Sequence, residues 1–208
     1  MKKYLVGLLP RRVRDELRAL LECSPELQVI YLRLLVTGAF ARRRHPARLP
    51  LESGSRVLFV CYGNILRSAF AEAYFRECLQ TSGRFPQVET GSAGTHARED
   101  RSADDRGIRV APEFGVYLDS HRARRITPAL LTWATHIVAM DRQNFAGILS
   151  VSPGAKARTV LLTDFASARN GELVVPDPYM SDEAGVRSSY TRIASLLDQA
   201  RQVHERRA

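Results

Sequence analysis

The stretch Arg56-Val57-Leu58-Phe59-Val60-Cys61-Tyr62-Gly63-Asn64-Ile65-Leu66-Arg67-Ser68, continuing into Ala69-Phe70-Ala71-Glu72-Ala73, decides how this chain is read. Arg56 to Cys61 is a short run rich in β-branched and aromatic residues, and Ala69 to Leu79 has the composition of a helix. The loop between them is bracketed by Cys61 and Arg67. In such a strand–loop–helix, backbone N–H groups converge on an anion, and the helix start near Arg67-Ser68 adds partial positive charge at the same point. Arg67 can grip two phosphate oxygens with its planar fork. The same field is expected to favour the thiolate of Cys61, lowering its pKa from the usual value of about 8.5. A thiolate beside an oxyanion cradle is suited to attack on phosphorus. Gly63 is expected to relieve steric conflict, Asn64 to tolerate a left-handed conformation, and Ser68 to donate a hydrogen bond to the sulfur. Tyr62, Gly63, Asn64, Ile65, Leu66, Arg67 and Ser68 are thus the expected phosphate cradle.

On either side of this stretch the patterning changes character. Towards the C-terminus strands and helices alternate. Strands are expected at Val88–Ala93, Thr135–Asp141 and Ala157–Leu162, with a helix near Asp105–Phe114. A final helix is expected to start at the cap Ser181, with Val186, Tyr190, Ile193, Leu197 and Ala200 recurring at steps of three and four. This alternation indicates an α/β domain with a mainly parallel sheet, whose ligands bind at the carboxyl ends of strands. Towards the N-terminus, Val13, Leu17, Leu20 and Leu21 share one helical face. Ser24-Pro25-Glu26 reads as the start of a second helix that runs through Val29 and Val36 to Gly38 and is apolar around most of its circumference. A helical hairpin with all that apolar surface should be buried. Turn formers at 42–46 and 50–55 mark a linker, giving a helical segment over 1–55 and an α/β domain over 56–208.

Composition narrows the function classes. The 208 residues are 45% hydrophobic and 25% charged, as in an ordinary globular protein. Cys23, Cys61 and Cys78 are too few for a disulfide scaffold and contain no CxxC pair, and the histidines lack metal-ligand spacing, so neither metal nor cofactor is expected. No stretch is apolar enough to span a membrane, and the apolar run at the start is too short for a signal peptide, so the chain is expected to be cytoplasmic. The net charge of +9 is concentrated at the front: residues 1–50 carry 11 Lys/Arg against 4 Asp/Glu. That segment could meet an anionic partner or self-associate, or it is simply a solvated helix surface.

The stretch Val57–Ala73 resembles the strand, phosphate loop and first helix of the low molecular weight protein tyrosine phosphatase family. Further agreement follows in the family's order: Gly91-Ser92-Ala93-Gly94-Thr95, Ala103-Asp104-Asp105-Arg106, His121 to Thr127, Ile137 to Asp141, and Val175-Pro176-Asp177-Pro178-Tyr179. The resemblance covers residues 56 to about 204 and implies a small, mainly parallel four-stranded sheet flanked by helices, the flavodoxin-like phosphatase fold. It implies hydrolysis of protein phosphotyrosine through a phosphocysteine. Cys61 would be the nucleophile, Arg67 the phosphate ligand, and Asp177 the general acid that protonates the leaving oxygen. Tyr62 and Tyr179 would line the substrate cleft, with Met180 beside them, and His121 could bond near Asn64.

Some positions depart from the family pattern. Leu66 stands where many members have a second cysteine, and Ala69 where proline is usual. The loop His96–Arg101, where members often present an aromatic wall residue, is shortened, and Arg98 or Arg101 could favour acidic peptides. Related arginine phosphatases carry threonine at the position of Ile65, and related arsenate reductases need cysteines that this chain lacks after Cys78. The alternative reading is a phosphate-binding scaffold or weakly active pseudophosphatase whose basic N-terminal helices dock a partner.

Overall fold

The computed structural model describes residues 17, 20–21, 23–38, 49, 51–83, 87–166 and 175–205, the side chains of 201–205 excepted. The chain divides into two units, Met1–Ala41 and Arg42–Ala208. In the first, helix α1 spans Pro25–Val36 with proline in its first turn; Ser24 occupies the N-cap without a side-chain cap bond. Tyr31 and Leu34 are buried, whereas Val29 and Val36 are 68% and 86% exposed. The apolar circumference is therefore only partly covered. The other expected helix, carrying Val13, lies mostly outside the described residues.

The second unit is a four-stranded parallel sheet in the order β2-β1-β3-β4. Its strands are β1 (Arg56–Cys61), β2 (Glu89–Gly94), β3 (His136–Ala139) and β4 (Thr159–Leu161). The helices are α2 (Arg67–Ser82), α3 (Asp105–Val110), α4 (Pro128–Trp133), α5 (Arg142–Val151) and α6 (Glu183–Glu205). β1 is flanked by strands on both sides, so Val57 to Val60 are wholly buried, as a continuous apolar run requires. Chain order reverses beside β1, so its carboxyl end opens at the crevice where parallel sheets bind ligands.

Several boundaries differ from the sequence expectations for local reasons. The expected helix at 105–114 breaks into α3 and a 3-10 turn, Ala111–Phe114, because Pro112 cannot continue an α-helical ladder. The strand expected at 157–162 shrinks to β4, with a 3-10 turn on each side. α6 is capped by Asp182 rather than Ser181, its carboxylate accepting from Gly185 N–H at 2.9 Å. Short α4 and the longer α5 had no sequence expectation. Asp141 caps α5 by accepting from Asn144 N–H at 2.7 Å. Leu49 and Leu51, in and beside the turn-rich linker, are buried in the α/β core.

An aromatic contact beside the site joins α2 to α6. Phe70, fully buried one turn into α2, stacks on Tyr190 with ring centroids 3.9 Å apart and meets the edge of Phe114 at 5.2 Å. Phe70→Ala is expected to destabilise the domain by roughly 3–5 kcal/mol, the range for an aromatic cavity in a packed core. A shifted urea midpoint at constant slope measures it; a change below about 1 kcal/mol would mean the site collapses around the missing ring.

Candidate active site

Cys61 closes β1 and is 3% exposed. Its sulfur accepts hydrogen bonds from Asn64 N–H at 3.2 Å and from the Ser68 hydroxyl at 3.0 Å. Asn64 has φ of 55°, the left-handed conformation expected for it, and is wholly buried. Its amide nitrogen donates to the hydroxyls of Ser68 (2.9 Å) and Ser92 (2.8 Å), and its amide oxygen accepts from Arg124 N–H at 2.9 Å. Ser92 in turn donates to Glu72 at 2.6 Å. His121 lies with Nε2 2.6 Å from the Asn64 carbonyl oxygen, and burial lowers its pKa below the usual imidazole value. Every polar atom of the asparagine side chain is thus satisfied inside the fold.

Gly63 does not carry the steric demand expected of it. It lacks a positive φ, and a β-carbon there would meet nothing nearer than 3.5 Å. The demand falls on Gly94, at the end of β2. A β-carbon on Gly94 would lie 2.6 Å from the Tyr62 carbonyl oxygen and 2.9 Å from Asn64 N. The loop lies directly on the neighbouring strand's backbone, which only glycine permits.

Arg67 opens α2 and is buried to 2% exposure. Its guanidinium donates to Asp141 at 2.7 Å, to the Val175 carbonyl at 3.1 Å and, through its other terminal nitrogen, to Asp177. Burial alone would lower its pKa, but the charges of Asp141, Asp177 and Cys61 outweigh it and raise the value. Asp177, 44% exposed, also accepts from Tyr179 N–H at 3.1 Å. Arg106 braces the loop beyond it, donating to the carbonyls of Tyr179 (3.1 Å) and Ser181 while forming an ion pair with Asp104. That bond to Arg106 holds the Asp104 carboxyl below its ordinary pKa. Asp104 N–H donates to the Ile65 carbonyl at 3.0 Å, so one short segment touches both loops.

At the rim, Tyr62 and Tyr179 are half-exposed. Tyr62 stacks on His96 with centroids 4.4 Å apart. Met180 is 92% exposed and Arg98 is exposed on the turn after Thr95. Ile65 and Leu66 are buried beneath the loop. Cys61, Arg67 and Asp177 are therefore brought together, while Arg98 and Met180 have no tie to them. Sequence reasoning assigned no site role to Asp141, Gly94 or Arg106. Asp141 follows β3 at the sheet's carboxyl edge, a positional signal that could have found it; the other two act through backbone contacts.

The model of the family described as low molecular weight phosphotyrosine protein phosphatase matches residues 56–206. The chain belongs to that family. A low molecular weight protein-tyrosine-phosphatase of Streptomyces coelicolor is 38% identical, over 62% of this chain and 81% of the relative. A protein-arginine-phosphatase of Geobacillus stearothermophilus is 32% identical, over 69% and 91%. Among solved structures, the tyrosine phosphatase Wzb from Escherichia coli K30, in complex with sulphate, matches with a TM-score of 0.63 at 28% identity, over 72% of this phosphatase and 98% of that chain. No described helix of the phosphatase is long and apolar enough to cross a membrane.

The two glycines make opposite predictions. Gly94→Ala should destabilise the phosphatase by about 1–3 kcal/mol, the cost of forcing extra volume into packed backbone, whereas Gly63→Ala should leave stability within about 1 kcal/mol of the parent. Thermal melts of the two variants decide it; equal losses would remove the close approach at Gly94 from the account.

Proposed function

We propose that this phosphatase hydrolyses phosphotyrosine in proteins, with Cys61 as nucleophile, Arg67 as phosphate ligand and Asp177 as general acid and base. The observation that carries this reading is the Cys61 sulfur at the foot of the loop, hydrogen-bonded by Asn64 and Ser68, with Arg67 tethering Asp177 to the same place. The thiolate attacks phosphorus and forms a P–S bond as the P–O bond to the ring breaks. The departing oxygen takes the electron pair and receives the Asp177 proton. Asp177, now a carboxylate, accepts a proton from water as the water oxygen attacks phosphorus. The P–S bond breaks, phosphate leaves, and the thiolate is restored. A protonated Asp177 is a weak partner for a guanidinium, so the state that acts as acid also frees a nitrogen of Arg67 for phosphate.

The half-exposed rings of Tyr62 and Tyr179 suit a flat aryl ester. Ile65, in contrast to the threonine of related arginine phosphatases, favours tyrosine over arginine. A thiol nucleophile works in a reducing compartment, which supports a cytoplasmic location; none of Cys23, Cys61 and Cys78 is joined in a disulfide among the described residues. We assign the chemistry to residues 56–208, preceded by the extension and linker 1–55, and an accessory role, by an anionic partner or self-association, to the basic residues 1–50. The scaffold alternative gains no support, since the residues a scaffold could lose are all present and converge.

Cys61→Ser is expected to lower turnover of an aryl phosphate by several orders of magnitude while phosphate still binds; more than about a hundredth of parental activity would sink the assignment. Asp177→Asn should slow esters with poor leaving groups roughly 100-fold more than esters with good ones. Rates across a series of substituted phenyl phosphates measure this, and a uniform loss would remove Asp177 from leaving-group protonation.

A further inference from the structure

The basic run His121-Arg122-Ala123-Arg124-Arg125 takes no direct part in the chemistry above. Of this run, His121, Arg122 and Arg124 line, with α2 and Ser92 of β2, a cavity of about 290 Å³ behind the phosphate loop. Its charged walls are Arg76, Arg122 and Arg124 against the single carboxylate of Glu72, with Ser92, Tyr117, Ser120 and His121 completing the polar lining. We propose that this cavity binds a small phosphate-bearing polyanion and that its occupancy adjusts the phosphate loop through Asn64.

Three observations carry the proposal. The first is uncompensated, anchored charge. Glu72 is already engaged by the Ser92 hydroxyl at 2.6 Å and by Arg76 at 3.2 Å. Arg122 spends one terminal nitrogen on the carbonyls of Asp119 (3.1 Å) and His121 (2.7 Å). Arg124 spends Nε on the Ser92 carbonyl at 2.8 Å. Both guanidinium groups are tethered to backbone, and no carboxylate among the described residues pairs with either. Such groups present fixed donor forks that match phosphate oxygens. The second is size and polarity. The volume sits at the small end of ligand pockets, which run from about 300 Å³, and takes a compact anion rather than a peptide helix. The third is connection. Ser92, His121 and the Arg124 backbone each hydrogen-bond Asn64, whose own N–H donates to the nucleophilic sulfur. An anion that draws His121 or Arg124 towards itself pulls on the residue that shapes the loop.

The molecule contains its own reporter. Trp133 is its single tryptophan. The Trp133 ring and the Arg124 guanidinium flank Gly91, 3.4 Å and 2.7 Å from where a β-carbon would lie there. The binding half of the proposal is independent of the reaction assigned to Cys61; the effect on turnover rests on that reading. The full chain is titrated with tripolyphosphate and, separately, with ADP, following tryptophan fluorescence and steady-state aryl phosphate hydrolysis. A saturable fluorescence change is expected, with kcat altered at least about twofold in addition to any competition for the active site. Arg122→Gln, which keeps a donor for the loop carbonyls, should weaken the fluorescence titration at least about tenfold, the loss of one charge-assisted contact. Its basal kcat should stay unchanged, and Arg76→Gln should weaken the same titration. Tighter binding of ADP that Tyr117→Ala abolishes would identify a nucleotide as the source of the phosphate. Equal binding of both probes would identify the phosphate chain alone. A purely competitive pattern with fluorescence titrations identical in parent and Arg122→Gln would overturn the site. Binding without any change in kcat would overturn the coupling, and absence of activity with fluorescence binding intact would count against the reading of Cys61 alone.

Discussion

The buried side chain of Asn64 is the constraint on which the active site depends. A left-handed residue in the middle of a loop is costly unless its surroundings over-determine it. Here two serine hydroxyls and a backbone N–H satisfy the amide, and a histidine meets the carbonyl. With that conformation set, the Asn64 N–H turns towards the Cys61 sulfur and Ser68 completes the pair of donors. The Cys61 sulfur is therefore positioned by the loop's own hydrogen bonds.

A second linkage runs through Arg67. Buried at the start of α2, it must find negative partners, since an unpaired buried charge is costly. Asp141, after β3, and Asp177, on the loop before α6, supply them. One guanidinium thereby ties three segments of the α/β unit to the carboxyl edge of the sheet. Arg106 secures the same loop a few residues on, by holding its carbonyls rather than its acid. The positions of Asp141 and Asp177 are thus mechanically coupled, because one guanidinium holds both.

The parallel sheet makes this convergence possible. Parallel strands all point their carboxyl ends one way, so residues following β1 and β3 emerge side by side although 80 positions separate Cys61 from Asp141. Gly94 lets the loop lie on β2 with no side chain between. The Phe70–Tyr190 stack then locks α2, and with it Arg67, to the helix that follows the Asp177 loop.

Much of this was legible in residue order. The apolar run ending in Cys61, the Gly-Asn pair and Arg67-Ser68 are local features, and strand, loop and helix start follow from local chemistry. So does the hydrogen bond from Ser68 to sulfur. The role proposed for Asp177 was legible only through the family resemblance, because an isolated Asp-Pro reads as an ordinary turn. Asp141 as partner of Arg67, Gly94 in place of Gly63 as the sterically required glycine, and the basic cavity behind Asn64 were not legible. Each depends on distances between segments far apart in the chain, and one-dimensional spacing carries no record of which strand lies beside which. Local backbone preference and hydrophobic periodicity decide the elements; the packing of strands side by side decides which charges meet.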